Sequence, residues 1–104
     1  MGGIGGGNIY WWIMYDISSP KRLRKMAKLC RQHGLCRIQK SIYIGMLSQE
    51  EIMELRENIL KWMLATEDRI MMIPAAHRSL RTAITLGDDT VLRDAQENKE
   101  VICL

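Results

Sequence analysis

The chain has 104 residues, a formal net charge of +3, 47% hydrophobic residues and 26% charged residues. This length predicts one domain with a single modest core, and the composition is that of an ordinary globular protein. No apolar run approaches the ~20 residues that span a bilayer, and the N-terminus lacks the pattern of a signal peptide. We therefore expect a cytoplasmic protein with no membrane partner.

The cysteines agree with that compartment. Cys30, Cys36 and Cys103 are an odd number and have no paired spacing. This arrangement favours free thiols in a reducing environment over a disulfide framework.

The charges are distributed unevenly along the sequence. Between Ile17 and Gly45 there are eight lysines and arginines and no acid, whereas Met46–Leu104 has seven basic and eleven acidic residues. Such a basic segment indicates a polyanionic partner.

The first elements are predicted from residue type and helix-capping signals. Residues 1–8 (MGGIGGGN) are expected to be a flexible leader outside the fold. Ile9–Ile17 is rich in aromatic and branched residues and predicts a buried strand. Ser19 and Pro20 suit the N-cap and the first helical position, and they predict a helix over Pro20–His33 that ends at Gly34.

The middle of the chain alternates and then becomes helical. Cys36–Leu47 has strand periodicity, which fits either one bent strand or a tight hairpin. Ser48 and Glu51 form a capping-box pattern that opens a second helix, which is predicted to reach about Leu64.

Two further strands are predicted in the second half. Arg69–Ile73 is short and apolar and is expected to end at Pro74, and Thr82–Leu86 predicts a weaker strand. Residues 87–104 form a polar, acidic tail that ends in the apolar Val101–Leu104.

The element order predicts an α+β fold. It matches the ferredoxin-like (βαββαβ) plan, in which one antiparallel sheet carries two helices on one face, here over residues 9–86. The other face then needs a cover, and a second copy that pairs sheet-to-sheet would make a homodimer. The short strand Val101–Leu104 in the tail is expected to dock on the partner protomer.

Asp16 is the strongest candidate for a catalytic or metal-binding residue. It is the only acid before Glu50, and it ends a strand that is otherwise buried. Carboxylates at such positions hold Mg²⁺ against phosphates, although an acid near the start of a helix also has a capping role. One carboxylate is a poor metal site, so a two-fold dimer would have to supply the second.

The first helix is the second candidate. One face is basic, and the excess continues onto the next strand; the residues concerned are Lys21, Arg24, Lys25, Lys28, Arg31 and Arg37. A basic helix face is often just solvated, but a run without acids favours binding to a phosphate backbone.

Together these segments resemble the CRISPR-associated Cas2 family over residues 9–86. The resemblance lies in YDI (Tyr15–Ile17), the basic helix, GLCRIQKSIYIG (Gly34–Gly45), the capped second helix and RIMMIP (Arg69–Pro74).

The resemblance implies a homodimer that bridges two dimers of a Cas1-type integrase and holds DNA for insertion as a new spacer. It also implies, for some members, endonuclease activity on RNA or DNA with Mg²⁺ or Mn²⁺. Asp16 would then be the catalytic and metal-binding residue. Tyr15, Arg37, Ser41 and Tyr43 match family positions near that site.

Three functions stay open at this point. The first is a scaffold that binds nucleic acid during spacer acquisition, and the second is a metal-dependent phosphodiesterase. The third is a ferredoxin-like regulatory module that binds a small ligand, which would leave the basic segment unexplained.

Overall fold

The computed structural model describes residues 9–87, which form a four-stranded antiparallel sheet and three helices. In chain order the elements are β1 (Ile9–Ile17), α1 (Pro20–Gln32), β2 (Cys36–Gln39), β3 (Ile42–Leu47), α2 (Gln49–Trp62), β4 (Asp68–Ala75) and α3 (His77–Thr82). The predicted α+β, ferredoxin-like order is confirmed. The leader over 1–8 and most of the tail over 87–104 lie outside the described residues.

The strands are ordered β2-β3-β1-β4 across the sheet, so β1 is central and β4 is an edge strand. β1 pairs with β3 on one side and with β4 on the other, antiparallel in both cases. The last residues of β1 therefore lie beside the first residues of β4.

The main core lies between the sheet and the helices α1 and α2. Alternate residues of β1 face the helices, and Ile13 is fully buried there. Met26 and Cys30 of α1 and Leu55 of α2 fill the space above it with no measurable exposure.

The opposite face of the sheet is only partly covered. At one end, Leu80 of α3 packs against Tyr10 and Ile44 in a second, smaller buried cluster. Towards the other end, Met71 and Ile73 are 57% and 38% exposed. We call this uncovered part the open face.

Both predicted helix starts are confirmed by hydrogen bonds. The Arg22 backbone N–H donates to Ser19 Oγ at 3.3 Å. The Glu51 N–H donates to Ser48 Oγ, and the Ser48 N–H donates to the Glu51 carboxylate, both at 3.1 Å. α1 ends one residue before its predicted end, and Gly34 follows with φ of 75°.

The segment between the helices is a hairpin, which decides between the two alternatives. β2 and β3 pair antiparallel, with a register shift between Arg37 and Gln39. The backbone packs closely at Gly45, because a Cβ there would lie 2.6 Å from Leu35 Cδ2 and 3.2 Å from Leu35 Cα.

The prediction that Pro74 ends the fourth strand is wrong, because β4 continues through it to Ala75. The Tyr15 N–H donates to the Ser41 carbonyl on the β3 side, so the backbone N–H and C=O of the next residue, Asp16, point towards β4. Its partner Arg69, and every second residue of β4 after it, therefore point their backbone groups towards β1. The residues between them, which include Pro74, point their backbone groups towards the free edge. A proline at that position removes no bond to β1, so the strand tolerates it.

The prediction of a strand over Thr82–Leu86 is also wrong. Thr82 ends α3, and the structure assigns no strand to residues 83–87. Ile84 and Leu86 are 91% and 95% exposed, so nothing in the described chain packs on them.

The two described cysteines differ. Cys30 is a free, buried thiol, and burial raises its pKa to about 12. Cys36 is disulfide-bonded, so the expectation of a free thiol is wrong at this position. None of the helices over residues 9–87 has the length and apolarity needed to cross a membrane.

Candidate active site and basic surface

Asp16 lies exposed at the end of β1, on the open face. Directly across the ladder is Arg69 of β4, and the next pair on the same face is Met14 with Met71. These residues surround a shallow depression of about 360 Å³, which is lined by Met14, Tyr15, Asp16, Arg69, Ile70 and Met71. A carboxylate and a guanidinium group thus share one site with an apolar floor.

The Asp16 carboxylate has no ion pair among residues 9–87. Within the same residues, no group of three or more His, Cys, Asp or Glu side chains could hold a metal ion. Mg²⁺ commonly takes one or two protein carboxylates and completes its shell with water and phosphate oxygens. Asp16 therefore fits as one ligand of such an ion, and a second carboxylate would have to come from another copy.

The side chains of Tyr15 and Tyr43 lie on the helix side of the sheet, away from the Asp16 carboxylate. They are 7% and 1% exposed, and their rings stack with centroids 6.2 Å apart and planes 20° apart. Burial raises the pKa of Tyr15 to about 12, so its hydroxyl stays protonated at neutral pH. The Tyr15 N–H also donates to the Ser41 carbonyl at 3.1 Å. These three residues hold the end of β1 in position. Their effect on Asp16 passes through the backbone of β1 and involves no contact with its carboxylate.

Arg37 is on β2, directly opposite Tyr43, and is exposed. Its Nε donates to the Gln39 carbonyl at 3.4 Å. Its charge lies near enough to Tyr15 to oppose, in part, the rise in that pKa. Arg37 is therefore on the helix side of the sheet and does not line the depression.

A buried ion pair that sequence reasoning missed lies just across the sheet from the depression. The Arg22 guanidinium donates to both carboxylate oxygens of Asp68, at 2.7 and 3.1 Å, and to Glu67 Oε1 at 3.1 Å. The Leu64 N–H donates to Asp68 at 3.0 Å, and the Asp68 side chain has no exposed surface. The hydrogen bond from Arg22 is the main cause that lowers the pKa of Asp68. This pair joins the start of α1 to the start of β4.

The remaining basic residues of α1 form a continuous surface, which we call the basic stripe. Its members are exposed and lie on one side of the helix: Lys21, Arg24, Lys25, Lys28 and Arg31. Lys25 Nζ lies 5.9 Å from the centroid of the Trp62 ring of α2, within the range of a cation–π contact. Arg22 is excluded from the stripe, because Asp68 and Glu67 occupy its donors.

Arg69 is the second residue that sequence reasoning missed. Only the register of two strands more than fifty residues apart places it beside Asp16. The sequence showed a basic residue at the start of an apolar strand, but it gave no signal of what lies opposite.

Residues 9–83 match the family model described as CRISPR associated protein Cas2. The chain belongs to this family. It is 33% identical to a CRISPR-associated endoribonuclease Cas2 of Korarchaeum cryptofilum, over 79% of this chain and 88% of the relative. The family resemblance inferred from the YDI, GLCRIQKSIYIG and RIMMIP segments is thereby confirmed.

Two further comparisons extend the family relationship. A CRISPR-associated endonuclease Cas1/endonuclease Cas2 fusion of Thermoproteus tenax is 28% identical over 76% of this chain and 30% of the fusion. The crystal structure of Streptococcus pyogenes Cas2 at pH 6.5 matches with a TM-score of 0.67 and 26% identity, over 76% of this chain and all of that chain. That structural match supports the ferredoxin-like fold.

Proposed function

We propose that this Cas2-family protein works in CRISPR adaptation as a homodimer that binds nucleic acid and hydrolyses phosphodiester bonds with a divalent metal ion. The observation that carries the proposal is the exposed Asp16 carboxylate, which has no ion pair within residues 9–87 and lies on the part of the sheet face that α3 leaves open. The endoribonuclease and endonuclease names of the relatives support the reaction class.

The open face supports the proposed homodimer. Met14, Met71 and Ile73 leave an apolar surface beside Asp16, with the ring of Trp12 only partly buried. An exposed apolar patch on a sheet indicates an interface, and two sheets can pack face to face about 10 Å apart. A second copy on this face would cover the patch and would bring two Asp16 carboxylates towards each other.

The paired carboxylates suit Mg²⁺ or Mn²⁺. Two such groups held close together repel each other unless a cation or a proton lies between them. When bound, the metal supplies an activated water and neutralises charge that develops on the phosphate. Asp16 holds the ion, while Tyr15 and Ser41 keep the end of β1 in place through the backbone hydrogen bond.

The basic stripe provides the nucleic-acid contacts. Lysine and arginine on an exposed helix face bind phosphates, which position DNA or RNA without reading its sequence. We propose that the dimer holds duplex DNA along the two stripes and bridges two dimers of a Cas1-type integrase. The fusion of Cas1 and Cas2 in the Thermoproteus tenax relative supports that partner.

The nuclease proposal is tested with Asp16→Asn. Labelled RNA and duplex DNA are incubated with wild type and variant in Mg²⁺, in Mn²⁺ and in EDTA. We expect cleavage by wild type with either metal and none by the variant, because the amide is a poor metal ligand. The matched control is Glu54→Gln, which neutralises an exposed acid of α2 outside the depression.

Equal cleavage by wild type and Asp16→Asn would show that the activity is a contaminant or lies elsewhere. The scaffold function is tested separately with the same variant. We expect Asp16→Asn to keep DNA binding and assembly with the integrase, because the basic stripe is unchanged. Loss of both with the fold intact would contradict this division of roles.

A further inference from the structure

We propose that Arg69 is a catalytic residue that binds the scissile phosphate beside Asp16. The inference rests on the proposed nuclease function and names the group that receives the substrate.

The first support is position. Asp16 and Arg69 are direct partners in the β1–β4 ladder, so their side chains leave the same face of the sheet. The hydrogen bond from the Tyr15 N–H to β3 makes Asp16 and Arg69 a hydrogen-bonded pair, for which the Cα atoms lie about 5.5 Å apart. Both residues line the depression described above.

The second support is that the Arg69 donors are available. Among residues 9–87, Arg69 takes part in no ion pair, whereas the preceding Asp68 is fully engaged by Arg22 on the other side of the sheet. A guanidinium group carries five N–H donors in a planar fork, which matches two oxygens of a phosphate. The Arg69 guanidinium therefore lies on the open face, and no carboxylate of the described chain pairs with it.

The third support is that the backbone under Arg69 is fixed. β4 pairs with β1 along its whole length, and the buried Arg22–Asp68 pair holds its first residue. The Asp68 N–H also donates to the Leu64 carbonyl at 2.8 Å. A phosphate-binding group on a rigid strand loses little freedom when the substrate arrives.

The fourth support is electrostatic. A phosphodiester is an anion, and Asp16 alone would repel it. Arg69 brings the local charge of the depression back to neutral in the absence of metal. Charge grows on the phosphate oxygens during hydrolysis, and a guanidinium already in place stabilises that charge.

The inference is tested with Arg69→Gln and Arg69→Lys. The matched control is Arg56→Gln, because Arg56 is an exposed arginine of α2 outside the depression. One readout is RNA cleavage in Mg²⁺. The other is binding of single-stranded RNA in EDTA as a function of salt, which needs no metal and no turnover.

We expect Arg69→Gln to lower kcat by about 10²–10³-fold, the usual effect of losing one charge-stabilising donor. Its binding in EDTA should lose about 0.7 from the magnitude of the slope of log K against log salt, the value for one phosphate of a single strand. Arg69→Lys should recover the binding slope and only part of the rate, because an ammonium keeps the charge without the fork. Arg56→Gln should match wild type in both measurements.

Wild-type cleavage by Arg69→Gln, in a preparation where Asp16→Asn is inactive, would overturn this inference and leave the proposed function standing. A binding slope that is the same for Arg69→Gln and Arg56→Gln would also overturn it, whatever the cleavage rate. Equal cleavage by wild type and Asp16→Asn would defeat the proposed function itself.

Discussion

The basic stripe makes a quantitative prediction about DNA binding. Arg24→Gln/Lys28→Gln removes two exposed charges from the middle of α1, away from its capped start and its last turn. The matched control, Arg56→Gln/Lys61→Gln, removes one arginine and one lysine from α2, in the acidic part of the sequence. Both double variants have the same net charge.

The magnitude follows from the length of the stripe. Lys21 and Arg31 are ten residues apart, which is about 15 Å along a helix. A duplex carries one phosphate per roughly 3.4 Å of axis on each strand, so one stripe spans about four phosphates. A dimer that binds along both stripes would then contact about eight phosphates. At about −0.9 per phosphate, wild type should show a slope of log K against log salt near −7.2, and the α1 variant near −3.6.

The corresponding affinity losses are large enough to measure. Between 50 and 200 mM salt, wild type should lose about 20,000-fold in affinity and the α1 variant only about 150-fold. Fluorescence anisotropy with a labelled duplex gives both slopes, and the α2 double variant should keep the wild-type slope. If the two double variants lose the same amount of slope, net charge and not the stripe governs binding, and the reasoning fails.

Three further predictions concern assembly and stability. Met71→Glu places a charge on the open face and should shift the proposed dimer to monomer in analytical ultracentrifugation. The control Met53→Glu, the same change at an exposed position of α2, should leave the oligomeric state unchanged. A dimeric Met71→Glu protein would place the interface elsewhere. Asp68→Asn breaks a buried ion pair and should lower the thermal midpoint at pH 7 by on the order of 10 °C. Because the folded-state pKa of Asp68 is lowered, this difference should be full above about pH 5 and shrink as the pH falls below about 4, and a difference that grew on acidification would refute the assignment. Gly45→Ala should destabilise the fold by about 1–3 kcal/mol in urea titration, because the new methyl group meets the Leu35 side chain and backbone; an unchanged midpoint would mean that the hairpin shifts freely.

Local signals predicted most of the fold. The Ser19–Pro20 start of α1 and the capping box at Ser48 appear as expected, because these contacts join residues three positions apart. α3 was missed for the complementary reason. Its N-cap residue, Ala76, makes no side-chain capping bond, so the sequence contains no start signal.

For the candidate site, the sequence indicated only single residues. It singled out Asp16 because this is the only acid before Glu50, and the basic residues of α1 because they share one face of the predicted helix. The sequence did not indicate the roles of Arg22 and Arg69. Arg22 pairs with Asp68, 46 positions away, and Arg69 lies opposite Asp16, 53 positions away. Such pairings arise from strand order and register, which residue spacing does not encode.

The position of Pro74 limits how the sheet can grow. Every second residue of β4 directs its backbone N–H towards the free edge of the sheet. Of these residues, Asp68 already donates its N–H to the Leu64 carbonyl, and Pro74 has no N–H to donate. In the described chain, Ile70 and Met72 are then the positions on this edge with an N–H for an incoming strand. An edge with so few donors is a poor template for open-ended strand addition. An extended β-ribbon of copies that pair through this edge is therefore disfavoured.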